Sequence, residues 1–352
     1  MNILVCVGAS EPSYTSSKSF IRALKRAGYD VRTCGAYYKY DRERTEQVDF
    51  ELEDKCFPEL YTYEEVLKST KDFKADIILQ IEPHFYLCGE KPKDIKSYYW
   101  ILDPHRGGYA YRNLAKQGDF NALFMSQTYF SDSYLEFAKK IYFFPQAVDI
   151  DRIKYDENIK AECDIAFIGE TGIADRCMRY DKRDADNYEY TNLINDNYIL
   201  DSEIYKDYAE RAKLLMLLSR GFDVRIYKKN FNTDYSKIIQ KGKIAFHRSL
   251  FKDITLRNFE SLALKRALVC DYVPNLEKLM INYKHCLMYK AFGFNTELEN
   301  FKLDYEQAKE AVDILLKDDK MRNDIAENAY QHVMKYHTFD NRVKEMMSVI
   351  TG

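Results

Sequence analysis

The sequence predicts an α/β chain built as two doubly wound, Rossmann-like domains in series. Three observations carry this. Apolar runs of parallel-strand type recur along the chain, each followed by a helical period. The first 35 residues read as strand, loop, helix and strand, the opening of a doubly wound unit. After a charged stretch at 150–162 the same grammar restarts with CDIAFIGE (163–170). The length of 352 residues suits two domains, each with its own core.

Residues 2–7, NILVCV, form the first strand, and 17–28 form a helix with Phe20, Ile21, Leu24 and Ala27 on one face, stopped by Gly28. YDVRTCG is the second strand. The loop GASEPSYTSS between them is a site candidate, because ligands of such domains bind beyond the carboxyl ends of the strands. It lacks the full G-x-G-x-x-G pattern of a dinucleotide site. Residues 37–48, YYKYDRERTEQV, read as an exposed basic and aromatic loop. A helix over 62–72 and strands ADIILQIE (75–82) and SYYWILD (97–103) follow. The turn-rich PHRGGYAYRN comes next, with His105, Arg106, Tyr109, Tyr111 and Arg112. ALFMSQ (122–127) is a strand with a helix after it through Lys139, and KIYFFPQAVD (140–149) closes the domain.

The boundaries expected are an N-terminal domain over 1–150, a linker over 151–162 and a second domain over 163–336. A terminal helix over 337–352 is expected to pack back on the first domain. In the second domain, 172–202 is a long polar loop of the kind that is often functional. A helix over 203–220 carries Tyr208, Ala212, Leu215 and Leu218. FDVRIY is a strand, SKIIQKG a short helical segment, and KIAFHR (243–248) a strand. ITLRNFESLALKRALVC (254–270) is a turn, a helix of three turns and a strand. EKLM, KHCLMY, helices over 305–316 and 320–336, and HTFDNRVKEMMSVI complete the chain.

Composition sets limits. The chain is 46% hydrophobic and 31% charged, with a net charge of −3, so no global field draws it to nucleic acid or membrane. Its 30 tyrosines and 21 phenylalanines stand against one tryptophan. The eight cysteines form no C-x-x-C pair and read as reduced core thiols of a cytosolic protein. No signal peptide and no apolar run of about 20 residues is found, so membrane insertion is not expected. Cytoplasmic residence is the expectation.

The chemistry gathers in 254–270. Arg257 and Glu260 are three residues apart and share a helix face. An arginine at a helix start suits a diphosphate, and a carboxylate one turn on can accept hydrogen bonds from a ribose diol. The alternative is an amphipathic helix with a surface ion pair.

The order FPQAVD, CDIAFIGE, RGFDVRIY, KIAFHR and LRNFESLALKRALVCD, with the ending MRNDIAENAYQHVMKYHTFDNRV, resembles the nucleotide-sugar domain of GT-B glycosyltransferases, above all the CgeB-like group. The resemblance covers most of 140–350 and implies two domains facing a central cleft. A narrower one, to the phage DNA β-glucosyltransferases, rests on three features. These are ITLRNFE, a glycine seven residues before an arginine (Gly169 and Arg176), and Tyr98 and Tyr99 ahead of Asp103.

The family implies a nucleotide-sugar donor, a UDP-sugar foremost. Arg257 and Arg176 would neutralise the diphosphate, Gly169 would admit a phosphate to the backbone, and Glu260 would hold the ribose. Arg225 and Lys228, at a strand end, would either assist or be surface charge. His247 would line the donor site or be a packed histidine. Asp103 is either the base that takes the acceptor proton or a turn residue before Pro104, and His105 is the rival base or an acceptor contact. Arg106, Tyr109 and Arg112 would meet the acceptor. An inverting course is favoured. Asp184-Ala185-Asp186 has a D-x-D shape but lies in an Asp-rich loop, which makes coincidence the better reading; the resemblance implies no tightly bound metal, with a divalent cation as the alternative. The acceptor is a hydroxymethylated DNA base, a glycan or a protein. A GT-B sugar-nucleotide epimerase and an inactive sugar-nucleotide-binding protein are the other readings.

Overall fold

The computed structural model describes residues 1–8, 15–36, 47–53, 55, 60–81, 85–104, 109–128, 131–169, 206–227, 234–250, 252–291 and 298–352. It divides into two compact units, one of Met1–Asp149 with Thr338–Gly352, the other of Ile150–His337.

The first unit holds strands β1 (Asn2–Cys6), β2 (Asp30–Gly35), β3 (Phe50–Glu51), β4 (Leu60–Thr62), β5 (Ile77–Ile81), β6 (Tyr86–Cys88), β7 (Lys96–Ile101), β8 (Ala122–Met125) and β9 (Ile141–Phe143). Seven form one sheet in the order β3-β2-β1-β5-β7-β8-β9, and β4 pairs with β6 separately. Every pairing is parallel, for example Ile3 with Val31 and with Ile77. β1, β5 and β8 bury nearly every side chain, which is why they read as unbroken apolar runs. The strand order reverses between β1 and β5.

Helix α1 (Ser16–Arg26) is capped by Thr15 and ends ahead of Gly28, whose φ of 84° suits glycine. α2 (Tyr63–Ser69) starts in a reciprocal cap in which Glu65 N–H donates to Thr62 Oγ1 (3.1 Å) and Thr62 N–H to Glu65 Oε2 (2.8 Å). α3 spans Tyr109–Gln117 and α4 only Asp132–Leu135. The helix expected through Lys139 is therefore one turn long. That turn suffices to bury Tyr134 and set Phe137 on the core, after which Lys139 reaches Asp119 at 3.1 Å.

The second unit holds β10 (Cys163–Ile168), β11 (Val224–Tyr227), β12 (Gly242–His247), β13 (Ala267–Asp271) and β14 (Leu287–Tyr289). Its sheet is wholly parallel, ordered β11-β10-β12-β13-β14, and reverses between β10 and β12. Around it lie α5 (Lys206–Ser219), α6 (Tyr235–Gln240), α7 (Leu256–Ala263), α8 (Leu298–Lys317) and α9 (Asp319–Tyr336). α7 is shorter than the three turns expected. The chain leaves it through Lys265, whose φ of 51° turns the backbone into β13. α8 starts well before the expected residue 305.

The final helix, α10 (Phe339–Thr351), belongs to the first unit and packs on α1. Thr338 and Asn341 cap it reciprocally. Phe339 N–H donates to Val148 O (3.0 Å), Arg342 Nε to Pro145 O (2.8 Å), and Lys96 Nζ to Ile350 O (3.2 Å). The Phe339 ring lies edge-on to Phe20 and Trp100 at 6.5 and 6.3 Å.

The six described cysteines are free thiols, and Cys56 and Cys177 lie outside the described residues. No helix among the described residues is long and apolar enough to cross a membrane.

Phe339→Ala removes a fully buried ring from the meeting of α10 with α1 and β7. We expect a loss of about 3–5 kcal/mol from the unit that holds α10, read as a lower urea midpoint for the first of two unfolding transitions.

Candidate functional site

In the second unit the site sits where the strand order reverses, the place at which open parallel sheets bind ligands. β10 ends at Ile168, so Gly169 lies just beyond its carboxyl end. The adjacent β12 ends at His247. From there the chain runs through Ser249 and Asp253 into Thr255, the cap of α7. Arg257 and Glu260 then fall about one turn apart, as the second and fifth residues of that helix.

These elements bring Gly169, His247 and Arg257 into contact. A Cβ on Gly169 would stand 2.3 Å from Arg257 Nη2 and 3.0 Å from its Cζ, so a side chain there would push the guanidinium from this position. Arg257 Cζ lies 5.0 Å from the centre of the Phe167 ring, a cation–π distance. Its Nη1 donates to His247 Nδ1 at 3.2 Å. Arginine can only donate, so Nδ1 accepts and the His247 proton sits on Nε2. Nε2 in turn donates to Thr255 Oγ1 at 3.3 Å. Thr255 Oγ1 and backbone N–H both point to Asn258 Oδ1, at 3.4 and 2.9 Å.

The charges agree with that tautomer. Burial, then the positive charge of Arg257, Arg211 and Arg248, holds the His247 imidazole well below its ordinary value. The neighbouring arginines are satisfied differently. Arg211 grips the Arg248 carbonyl through Nε (2.9 Å) and Nη2 (2.7 Å). Arg248 lies between Glu210 (3.2 Å) and Asp304 (3.1 Å). Among the described residues Arg257 alone of the three has no carboxylate or carbonyl partner, its one hydrogen bond being to a neutral ring. Its Nε is buried and unbonded, as is Asn258 Nδ2.

The loop leading to α7 is pinned. Ser249 N–H donates to Asp271 Oδ1 at 2.7 Å and its hydroxyl to Oδ2, tying the end of β12 to that of β13. Lys252, at φ 53°, donates to Ala291 O at 2.7 Å.

Glu260 is 5% exposed and does not pair with Arg257. Its Oε1 meets Arg152 Nη2 in an ion pair within the second unit. The Tyr235 hydroxyl lies close to Glu260, Arg257, Arg152 and Ser261, and burial raises its pKa.

The remaining expected site residues divide. Arg225 is a correction. Its guanidinium turns to Glu162, reaching the carboxylate at 3.2 Å and the carbonyl at 3.0 Å, ahead of β10. Arg225 pairs in register with Ala166, and its side chain runs to the amino end of the sheet, opposite to Gly169. In the first unit, half-buried Asp103 lies two residues beyond β7, at the carboxyl end of the sheet. Tyr109 opens α3, and Arg112 pairs with Glu136. His105, Arg106, Arg176, Lys228 and the Asp184-Ala185-Asp186 stretch lie outside the described residues. Among the described residues no group of three His, Cys, Asp or Glu side chains could hold a metal ion.

Sequence reasoning missed Arg152 and Arg211. Arg211 follows Tyr208 by three residues and precedes Leu215 by four, so it lies on the apolar stripe of α5, a visible anomaly. Arg152 sits in a charged stretch that carries no local pattern.

Residues 208–348 match a family model described as glycosyl transferase-like. No curated protein sequence matches the chain. The fold is that of GT-B glycosyltransferases. The sucrose-phosphate synthase of Thermosynechococcus elongatus aligns over 100% of this chain and 98% of its own, with a TM-score of 0.59 and 11% identity. Anabaena Alr3699/HepE, in complex with UDP and glucose, aligns over 99% of this chain and 100% of its own, with the same score and identity. An alpha-glucosyltransferase in complex with UDP and a 13-mer DNA containing a HMU base aligns over 100% of both chains, with a TM-score of 0.57 and 10% identity.

His247 and His285 give the second unit a sign of pH dependence. Burial brings His285 down to about 4, with His332 and Lys284 adding to the effect. A histidine held below its unfolded pKa of ~6.5 contributes stability that is whole above that value and is lost as pH falls through it. We expect the second unit's urea midpoint to fall from about pH 7 toward pH 5, and His247→Gln to make that fall shallower.

Proposed function

We propose that the protein transfers a sugar from a nucleotide-sugar, a UDP-sugar, to a hydroxyl acceptor with inversion at the anomeric carbon. One observation carries the donor half. Arg257 places a guanidinium with no carboxylate partner among the described residues against Gly169, at the strand-order reversal and in the first turn of α7. Such a charge suits a diphosphate, and the helix N-terminus adds backbone N–H groups of the same sign. Glu260, one turn on, supplies a carboxylate for the ribose hydroxyls. The glycosyl transferase-like match over 208–348 supports the reading, as do the neighbours that hold UDP.

In this mechanism the acceptor oxygen attacks the anomeric carbon as the bond from that carbon to the β-phosphate oxygen breaks. The acceptor proton passes to the Asp103 carboxylate. The negative charge that gathers on the departing diphosphate is met by Arg257, which His247 holds in a fixed direction, so little reorganisation is needed as the charge develops. Gly169 gives the phosphate access to the backbone. His247 acts here as an orienting acceptor for Arg257.

A modified DNA base is a second acceptor reading, supported by the neighbour that holds UDP with DNA. A salt-dependent mobility shift on hydroxymethylated DNA, with transfer of labelled sugar to it, supports this reading. Binding and transfer confined to free glycans removes it.

UDP should bind the intact chain in calorimetry. Arg257→Ala should weaken it by about 10- to 150-fold, the range for hydrogen bonds to a charged group, and Gly169→Ala should act in the same direction by displacing the guanidinium. A wild-type affinity for UDP that Arg257→Ala leaves unchanged rejects the donor site.

Asp103→Asn should lower kcat by about 10²- to 10⁴-fold with donor affinity kept. Unchanged turnover rejects Asp103 as the base. Donor incubated without acceptor should give UDP and free sugar, and an isomerised UDP-sugar would indicate an epimerase.

A further inference from the structure

Arg152 is the third residue of the second unit, and its position is fastened from two sides. Its carbonyl accepts from Ser236 Oγ of α6 at 3.5 Å, and four residues on Asp156 N–H donates to Gln240 Oε1 of the same helix at 2.9 Å. The backbone here is thus laid along α6, and the Arg152 side chain reaches Glu260 Oε1 on α7. Glu260 is buried, Arg152 is one-quarter exposed, and the Tyr235 hydroxyl lies nearby with Ser261. Among the described residues Glu260 Oε2 has no hydrogen-bond partner.

A carboxylate so held presents one engaged oxygen and one open oxygen in a fixed direction. A buried glutamate left to itself would choose among rotamers and lose much of its power to distinguish ligands. With Oε1 engaged, the remaining oxygen can accept only where the side chain is pointed.

We propose that Arg152 is a positioning residue that aims Glu260 Oε2 at the ribose of the donor and thereby sets a preference for ribose over 2′-deoxyribose nucleotides. This rests on the donor-site reading above. Arg152 acts only through Glu260, by the one contact of Nη2 with Oε1, and Lys at the same place would keep the charge while losing the rigid, planar guanidinium that directs it.

Calorimetry with UDP and with 2′-deoxy-UDP tests it on the full chain. Wild type should prefer UDP by about tenfold or more. Arg152→Ala and Arg152→Gln should erase most of that preference with unchanged far-UV circular dichroism, and Arg152→Lys should restore part of it. Glu260→Gln should erase it as well, and the double variant Arg152→Ala/Glu260→Gln should lose no more than Glu260→Gln alone. In turnover assays the loss should appear in KM for the donor with kcat kept. A wild type that prefers UDP beside folded Arg152 variants that keep the same ratio overturns the proposal and leaves the donor site standing. A wild type that binds neither nucleotide overturns the donor site and this proposal with it.

Discussion

The contact between Arg257 and His247 governs much of the second unit. A cation and an imidazole at 3.2 Å are compatible only while the ring is neutral. The site enforces that condition by burying the ring and surrounding it with arginines. Neutrality then fixes the tautomer, which makes Nε2 a donor to Thr255, the residue that caps α7. One proton position thus links a strand end, the charged side chain and the start of the helix that carries it. Glycine at 169 completes the arrangement, since a side chain there would displace the guanidinium from its present position.

Electrostatic partition around this contact explains why Arg257 is singular. Among the described residues three arginines lie near the carboxyl ends of β10 and β12. Arg248 is neutralised by Glu210 and Asp304, and Arg211 is held by the Arg248 carbonyl. Those two serve the packing of α5 and α8 on the sheet. Among the described residues Arg257 has only an aromatic face and a neutral ring, an arrangement that costs stability unless a negative group comes to it. Charges kept for structure and a charge kept for binding are thereby separated within a few residues.

Much of this was legible in the sequence because it is periodic. Apolar runs such as IILQI and IAFH announce parallel strands, and the restart at Cys163 announces the second sheet. Arg257 and Glu260 were legible as a pair because helix geometry puts residues three apart on one face. Their partners were not legible. Nothing local marks Arg152, whose role depends on a contact with a residue 108 positions away. Arg225 misled for a related reason, because its position in a strand is local but the end of the sheet to which its side chain runs depends on Glu162. α7 is shorter than its pattern suggests because Lys265 takes a left-handed conformation just past its end, with no glycine or proline to announce it.

The return of Thr338–Gly352 to the first unit has a consequence for biosynthesis. A ribosome delivers the sheet of that unit first and its closing helix last, with all of the second unit in between. Until α10 emerges, Phe20 and Trp100 lack the Phe339 ring, and α1 presents an uncovered apolar face. The vectorial order in which domains ordinarily fold is therefore inverted at one point: the inserted unit can be complete while the unit that began the chain is still waiting. A nascent chain stalled before α10 emerges would expose that face, which is the kind of surface a holding chaperone recognises.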